Sequence, residues 1–251
     1  MRLLLDLGNT RLKWALEGQG RWFAQGAAAW NEDLAMLGST WQTLPRPALA
    51  LGASVVDGAR EQAVATLVRA MFGLDPAWLR TPARACGVRN AYPEPQRLGV
   101  DRFLAMVAAR AAGCGDCVLV GVGTALTLDA LRADGQHLGG LIAPGPRLMQ
   151  QSLLGATAQV RPRNDGVLVD LADNTSDAVV SGCWQAVAAL VERFVARVSP
   201  QVGTAPAVRL DGGDAAGLAP LLAMPTSMVE HGVLHGLAVW AQTQSGGPLG
   251  H

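Results

Sequence analysis

Near its N-terminus the chain reads LLLDLGNTRLKWAL over residues 3–16. Two mostly apolar runs flank a Gly-Asn-Thr turn, and Gly-Asn is a hairpin signal, so the segment predicts a strand, a tight turn and a second strand. Residues 118–131, VLVGVGTALTLDAL, repeat this pattern with Gly123 and Thr124 at the turn. The repeat lies in pattern rather than in identity. The repeated pattern is compatible with two α/β halves that face each other across a cleft. It is equally compatible with a single α/β sheet that has several tight turns.

Hydrophobic periodicity predicts the remaining elements. In the first half we expect strands at 3–6, 12–16, 21–24 and 48–53, and helices at 31–37, 59–72 and 100–112. In the second half we expect strands at 118–122 and 125–131, a third strand that follows the Asp134-Gly135 hairpin and ends at 142, and a fourth strand at 208–210. We expect helices at 146–154, 175–198 and 229–240. Residues 82–95, rich in Arg, Pro and Gly, predict a long irregular loop, and residues 246–251 a frayed tail.

Composition limits the classes of function. The chain has 251 residues, half of them hydrophobic, and a formal net charge of zero, so we expect no nucleic-acid partner. No apolar run approaches the ~18 residues of a membrane span. The first apolar run meets Asp6 too early for a secretory signal, so we expect a cytoplasmic protein. Cys114-Gly115-Asp116-Cys117 lacks the further ligands of a zinc site and is interpreted as two incidental thiols.

The first hairpin contains residue types that suit a phosphate. Lys13 is the only lysine beside nineteen arginines, and its compact ammonium suits point contact with a phosphate. Gly8 lets the backbone approach an anion, and Asn9 and Thr10 can donate hydrogen bonds to it. Asp6, at the end of an apolar strand, can hold Mg²⁺ directly or through water. The spacing is neither that of a Walker A loop nor that of a dinucleotide-binding turn.

Two further segments offer candidate groups. GVDR at residues 99–102 opens the alanine-rich helix. Its Asp101 fits the charge preference of a helix N-terminus, and it also fits a general base aimed into a cleft. Arg102 suits a substrate carboxylate. GGLIAPG at residues 139–145 is typical of a strand end and turn.

Together these segments resemble type III pantothenate kinase, a family of the actin-like kinase superfamily, over most of the chain and in the expected order. Residues 6–13 are similar to the first phosphate motif of the family and residues 123–129 to the second. Residues 139–145 match its G-G-x-I-x-P-G segment, and residues 99–102 match its G-x-D-R. Asn90-Ala91-Tyr92 and Asn174-Thr175 match two shorter motifs.

The resemblance implies a fold, a reaction and a set of roles. The fold is two ribonuclease-H-like halves, residues 1–113 and 114–251, with ATP in the cleft. The reaction is phosphorylation of pantothenate to 4′-phosphopantothenate for coenzyme A biosynthesis, with Asp101 as general base. The implied ATP-binding residues are Asp6 (with magnesium), Gly8, Asn9, Thr10, Lys13 and Thr124. The implied substrate-binding residues are Tyr92, Gly99, Val100, Asp101, Arg102 and Thr175, the last from the second subunit of a homodimer.

One position departs from the family pattern. The family usually has an aspartate three residues before the second-motif threonine, where it helps to bind a monovalent cation, and here that residue is Gly121. The implied potassium or ammonium requirement is therefore left open, with the site lost, rebuilt or replaced.

Two alternative functions also stay open. One is a non-catalytic regulator like the Bvg accessory factor, against which the absence of a helix-turn-helix pattern and a basic patch argues. The other is a kinase of the superfamily that acts on a sugar or small acid, against which Tyr92 and GVDR argue.

Overall fold

The computed structural model describes residues 1–30, 34–156, 165–202 and 205–245. Its strands are β1 (Arg2–Leu7), β2 (Arg11–Gly18), β3 (Arg21–Ala29), β4 (Leu49–Ser54), β5 (Ala77–Trp78), β6 (Arg84–Ala85), β7 (Val88–Arg89), β8 (Cys117–Val122), β9 (Ala125–Leu131), β10 (His137–Pro144), β11 (Ala207–Asp211) and β12 (Thr226–Met228). Its helices are α1 (Leu34–Gln42), α2 (Gly58–Phe72), α3 (Val100–Ala111), α4 (Pro146–Ala156), α5 (Thr175–Val202), α6 (Ala215–Leu218) and α7 (Gly232–Ser245).

The two large sheets have the same topology. Their strand orders are β3-β2-β1-β4-β5 and β10-β9-β8-β11-β12. In each, the first strand is central, pairs antiparallel with the second and parallel with the fourth. The predicted duplication is therefore confirmed, and the single-sheet alternative is wrong.

Backbone contacts divide the chain into two compact units. One contains Met1–Gly113 together with the segment that starts at His231, and the other contains Cys114–Glu230. The domain boundaries predicted from the sequence assigned all residues after 113 to the second half. The difference is α7, which packs against α3 and β1 and so belongs to the first unit.

Helices cover both faces of the first sheet. Leu3 and Leu5 of β1 pack with α1 and α2, whereas Leu4 packs with α3 and α7. Side chains alternate along a strand, so Asp6 shares the α3–α7 face with Leu4. Lys13 is the direct partner of Asp6 on β2, and directly opposite residues share a face. We call this the Asp6–Lys13 face.

The second unit has its own core. Alternate residues of β8, β9 and β11 pack against one side of α5, which contributes Val187, Val191, Val195 and Val198. Among the helices of the described ranges, α5 alone is long and apolar enough to cross a membrane by length and composition. Because its buried side completes this core, length and composition alone do not make it a membrane span.

The predicted elements differ from the structure mainly at short strands and helix starts. Residues 82–95 include the small β6–β7 hairpin, and β5 and β12 carry too few residues to show a period. The last helix begins at Gly232, not at 229, because Val229 donates a backbone hydrogen bond to Leu210 of the sheet. α1 extends beyond the predicted end at 37. Residues 31–33 of that predicted helix and the predicted tail lie outside the described residues.

Candidate functional site

The first predicted phosphate segment is a tight hairpin at the end of β1. The Gly8 backbone N–H donates a 3.1 Å hydrogen bond to the Arg11 carbonyl, so that Asn9 and Thr10 form an exposed two-residue loop. Asp6 lies one residue before the end of β1, is 8% exposed, and shares its sheet face with Lys13. The turn thus presents backbone amides beside one carboxylate and one ammonium.

The N-terminus of α3 lies at the same edge of the sheet. β1, β4 and β5 are parallel, so their C-terminal ends share one edge. Thr81, shortly after β5, donates a 2.7 Å hydrogen bond to the Leu98 carbonyl, just before α3 begins. Since α3 also packs on the Asp6–Lys13 face, Asp101 in its first turn lies at the edge and face where β1 ends.

Gly99 leaves room for the Asp101 carboxylate. Asp101 Oδ1 accepts a 2.8 Å hydrogen bond from the Arg102 backbone N–H. With the carboxylate in this position, a Cβ atom at residue 99 would lie 2.5 Å from Oδ1. Any other residue at 99 would displace the carboxylate. The G-x-D-R spacing thus has a steric reason, beyond the charge preference of a helix start.

Arg102 is buried and Tyr92 is half-buried, and their side chains are in contact. Arg102 is 5% exposed, and its Nη1 lies 3.3 Å from the Tyr92 hydroxyl oxygen, to which it donates. The guanidinium carbon lies 5.9 Å from the Tyr92 ring centroid, within cation–π range. Asn90 fixes the loop, since its Oδ1 accepts from the Tyr92 backbone N–H and its Nδ2 donates to the Pro95 carbonyl. Such a pair suits a substrate carboxylate.

Three loops of the second unit meet at one edge of its sheet. Thr124 is exposed at the tip of the β8–β9 turn, and its carbonyl accepts a 2.8 Å hydrogen bond from the Gly145 backbone N–H. The backbone N–H of Asp214, after β11, donates to the Val122 carbonyl. A Cβ atom at Gly145 would overlap the Gly123 carbonyl oxygen, so glycine permits this close approach.

The loop after β11 contributes to the site, although none of its residues was among the predicted site residues. Gly212 has a φ of 108°, which favours glycine. Asp214 is buried and accepts a 2.8 Å hydrogen bond from Arg147 Nε at the start of α4. The loop lies beside the Thr124 turn, so it joins the candidate phosphate site of this unit. Its signal was Gly212-Gly213-Asp214 directly after an apolar strand.

Thr175 is the first residue of α5 and is exposed. Asn174 caps the helix, because its Oδ1 accepts a 3.0 Å hydrogen bond from the Asp177 backbone N–H. Asp177 Oδ1 in turn accepts from the Val167 backbone N–H at 2.7 Å. This bond first, and then the Asn174 side chain, hold the pKa of Asp177 below its ordinary value. Asn174-Thr175 thus marks a well-capped helix start.

The two hairpins differ at equivalent positions. Asp6 lies opposite Lys13 in the first, and Gly121 lies opposite Thr127 in the second. A Cβ atom at Gly121 would lie 2.5 Å from Thr127 Oγ1, so the hydroxyl takes the space that a side chain at 121 would need. Asp211 lies beside Gly121 on β11, and its Oδ1 accepts from the next backbone N–H. Position 121 therefore lacks the carboxylate of the implied monovalent-cation site, and the neighbouring strand carries one at Asp211.

Asp6 fits a magnesium ion held mainly by phosphates. In the part of the chain that the structure describes, no group of three or more His, Cys, Asp or Glu side chains could hold a metal. Mg²⁺ needs only one or two carboxylates when phosphate oxygens and waters complete its shell. In the C-x-x-C segment, burial raises the pKa of the Cys117 thiol to about 12, so this thiol is protonated and a poor nucleophile at neutral pH.

Solved structures of low sequence identity show the fold. A conserved putative Baf family transcriptional activator from Campylobacter jejuni has a TM-score of 0.61 at 16% identity, covering 97% of this chain and 99% of that one. An activator of 2-hydroxyisocaproyl-CoA dehydratase from Clostridium difficile, with bound ADPNP, has a TM-score of 0.55 at 11% identity, covering 100% and 99%. The fold is therefore that of the actin-like ATPases and kinases.

Sequence similarity gives the family. The family model described as type III pantothenate kinase matches residues 2–197. A type III pantothenate kinase of Aromatoleum aromaticum is 41% identical over 242 residues, which cover 96% of this chain and 98% of that protein. The chain belongs to the type III pantothenate kinase family.

Proposed function

We propose that the chain transfers the γ-phosphoryl group of ATP to the primary hydroxyl of pantothenate. The product is 4′-phosphopantothenate, and the step is the first of coenzyme A biosynthesis. Family membership supports this. The observation that carries it is the common edge and face of Asp101, Asp6 and Lys13. A base for the alcohol and charges for the phosphates lie on one compact unit.

Asp101 is the proposed general base. A carboxylate can accept the hydroxyl proton as the alcohol oxygen attacks phosphorus. Its orientation is fixed by the Arg102 backbone N–H and by the space over Gly99. Arg102 and Tyr92 bind the carboxylate of pantothenate with a guanidinium and a hydroxyl, which places the far end of the substrate. Gly99 and Val100 form the remaining wall in this unit.

Each unit has a glycine turn whose groups suit the ATP phosphates. Phosphoryl transfer depends mainly on positioning and on stabilising charge. In the first unit Lys13 supplies the cation, and Gly8, Asn9 and Thr10 supply turn amides and side-chain donors. In the second unit Thr124 supplies a hydroxyl. Asp6 would hold magnesium, which when bound would neutralise part of the phosphate charge.

The monovalent cation is proposed to be of little importance in this chain. Gly121 provides no carboxylate, and Thr127 fills the adjacent space. No step of the proposed reaction runs through potassium or ammonium.

The proposed assembly is a cytoplasmic homodimer without nucleic-acid or membrane partners. The resemblance implies that Thr175 of the partner subunit completes the pantothenate pocket. The exposed position of Thr175 at a capped helix start supports this. The balanced charge of the chain supports the absence of a nucleic-acid partner.

The function is tested with purified protein, ATP, magnesium and two alcohols. The two substrates are pantothenate and a control compound in which the carboxylate of pantothenate is reduced to an alcohol. The phosphorylated products are then identified by mass spectrometry. We expect phosphorylation of pantothenate and at least tenfold weaker use of the reduced control. No turnover of pantothenate with potassium and ammonium both present would contradict the kinase function and favour the regulatory alternative. Equal use of both alcohols would contradict the role of Arg102.

A further inference from the structure

Two side chains outside the predicted site hold the first phosphate turn from one side. Trp30 Nε1 donates a 2.7 Å hydrogen bond to the Gly8 carbonyl. Arg60 of α2 stacks on Trp30, with its Cζ 5.2 Å from the ring centroid, and its Nη1 lies 3.5 Å from the Asn9 carbonyl oxygen. Asp57 fixes this region of α2, because its Oδ1 accepts from the Arg60 backbone N–H and its Oδ2 lies 3.7 Å from Arg60 Nε.

Both contacts act on carbonyl groups of the turn. Peptide bonds of the described residues are trans, and in a trans peptide the C=O and the following N–H point in opposite directions. With the Gly8 and Asn9 carbonyls turned toward Trp30 and Arg60, the N–H groups that follow them face away from these side chains. Trp30 and α2 pack on one face of the first sheet, whereas Lys13 lies on the other.

We propose, with the function given above as the premise, that Trp30 and Arg60 are positioning residues for phosphoryl transfer. They turn the two backbone amides after Gly8 and Asn9 toward the side of Lys13, where the ATP phosphates bind. Trp30 supplies the directional hydrogen bond. Arg60 holds the indole by stacking, which a planar guanidinium does and an ammonium does not.

The test measures nucleotide binding separately from substrate use. Trp30→Phe keeps an aromatic ring and removes the indole N–H, and Arg60→Met removes the charge and the stacking plane at an exposed position. For each variant we expect KM for ATP, and Kd for β,γ-imido-ATP with magnesium, to rise about five- to tenfold, since a lost hydrogen bond has about that effect. KM for pantothenate should change less than twofold. In the Arg60→Lys variant, the rise in log Kd for β,γ-imido-ATP should be more than half of the rise in Arg60→Met.

Matched variants separate positioning from general packing. Trp41→Phe makes the same substitution in the same core, where the buried indole N–H has no acceptor within the described ranges. Arg69→Met removes another arginine of α2, which pairs with Asp75. Both controls should keep the wild-type Kd for β,γ-imido-ATP.

The double variant gives a third readout. Because both side chains act on one turn, Trp30→Phe with Arg60→Met should raise Kd by less than the product of the single effects. Unchanged nucleotide binding in both single variants, or equal rises in the two KM values, would overturn the proposal. Failure of the wild-type protein to phosphorylate pantothenate would instead overturn the function on which it rests.

Discussion

Replacing Gly99 by alanine should uncouple the Asp101 carboxylate from its position while leaving the fold intact. The new Cβ would lie 2.5 Å from Asp101 Oδ1, whereas ordinary contacts begin at 3.4 Å. The carboxylate must therefore retreat by roughly 1 Å, and a misplacement of about 1 Å can cost on the order of 10²-fold in rate. The 2.8 Å hydrogen bond from the Arg102 N–H would also be strained.

We therefore expect kcat for pantothenate phosphorylation to fall between about 10- and 100-fold in Gly99→Ala. Overpacking at one site costs about 1–3 kcal/mol, and for a chain of this size each kcal/mol lowers Tm by about 2–4 °C. The variant should remain folded at assay temperature. Initial rates and thermal unfolding followed by circular dichroism measure the two effects.

Gly58→Ala is the matched control. Residue 58 begins α2, and a Cβ atom there meets nothing within 4 Å. It should keep wild-type kcat and an equal or slightly higher Tm. Wild-type kcat in folded Gly99→Ala would refute the steric reasoning and remove the link between Gly99 and the Asp101 carboxylate.

Three further perturbations test other parts of the site. Arg102→Lys should raise KM for pantothenate at least tenfold through loss of the planar contact with Tyr92, and an equal rise in KM for ATP would contradict this assignment. Replacing potassium by sodium or choline should change kcat less than about threefold, roughly 0.6 kcal/mol, and a strong potassium requirement would show that another group such as Asp211 replaces the missing carboxylate. Asp177→Asn should lower Tm at pH 7. Hydrogen bonds lower the folded-state pKa of Asp177 below 3.8, so its stabilisation is present above the unfolded pKa and is lost as pH falls through the folded pKa. The Tm difference from wild type should therefore shrink as the pH is lowered from 7 to below 3.8, and a difference that does not change with pH would contradict the carboxylate as its source.

The hairpins and long helices were predictable because their signals are local. A two-residue turn between alternating apolar runs specifies β1–β2 and β8–β9, and helical periodicity specifies α2, α3 and α5. The same local signals predicted that Asp6, Lys13 and Asp101 lie near the ends of strands or helices. The parallel strands of the first sheet end at one edge, and these residues lie there.

Contacts between distant parts of the chain were not predictable in this way. Trp30 and Arg60 lie 22 and 51 residues from the carbonyls that they contact, and no periodic signal links such positions. α7 joins the first unit through packing on α3 and β1, which its own sequence does not specify. The Gly212 loop became part of the site only because β11 pairs with β8.

The steric block at Gly121 also required the structure. Sequence alone left the cation site lost, rebuilt or replaced, because a glycine says nothing about its neighbours. The cross-strand pairing with Thr127 places a hydroxyl where a side chain at 121 would start. That contact identifies the group beside position 121, which the sequence alone could not do.

The most direct measurement compares wild-type protein with Asp101→Asn in an assay of 4′-phosphopantothenate formation from ATP and pantothenate. The amide keeps the shape of the carboxylate and removes its capacity to take a proton. We predict product formation by the wild type, a loss of 10²-fold or more in kcat for the variant, and an unchanged Kd for β,γ-imido-ATP. Undiminished turnover by Asp101→Asn would remove the base assignment, and the absence of product from the wild type would contradict the kinase function itself.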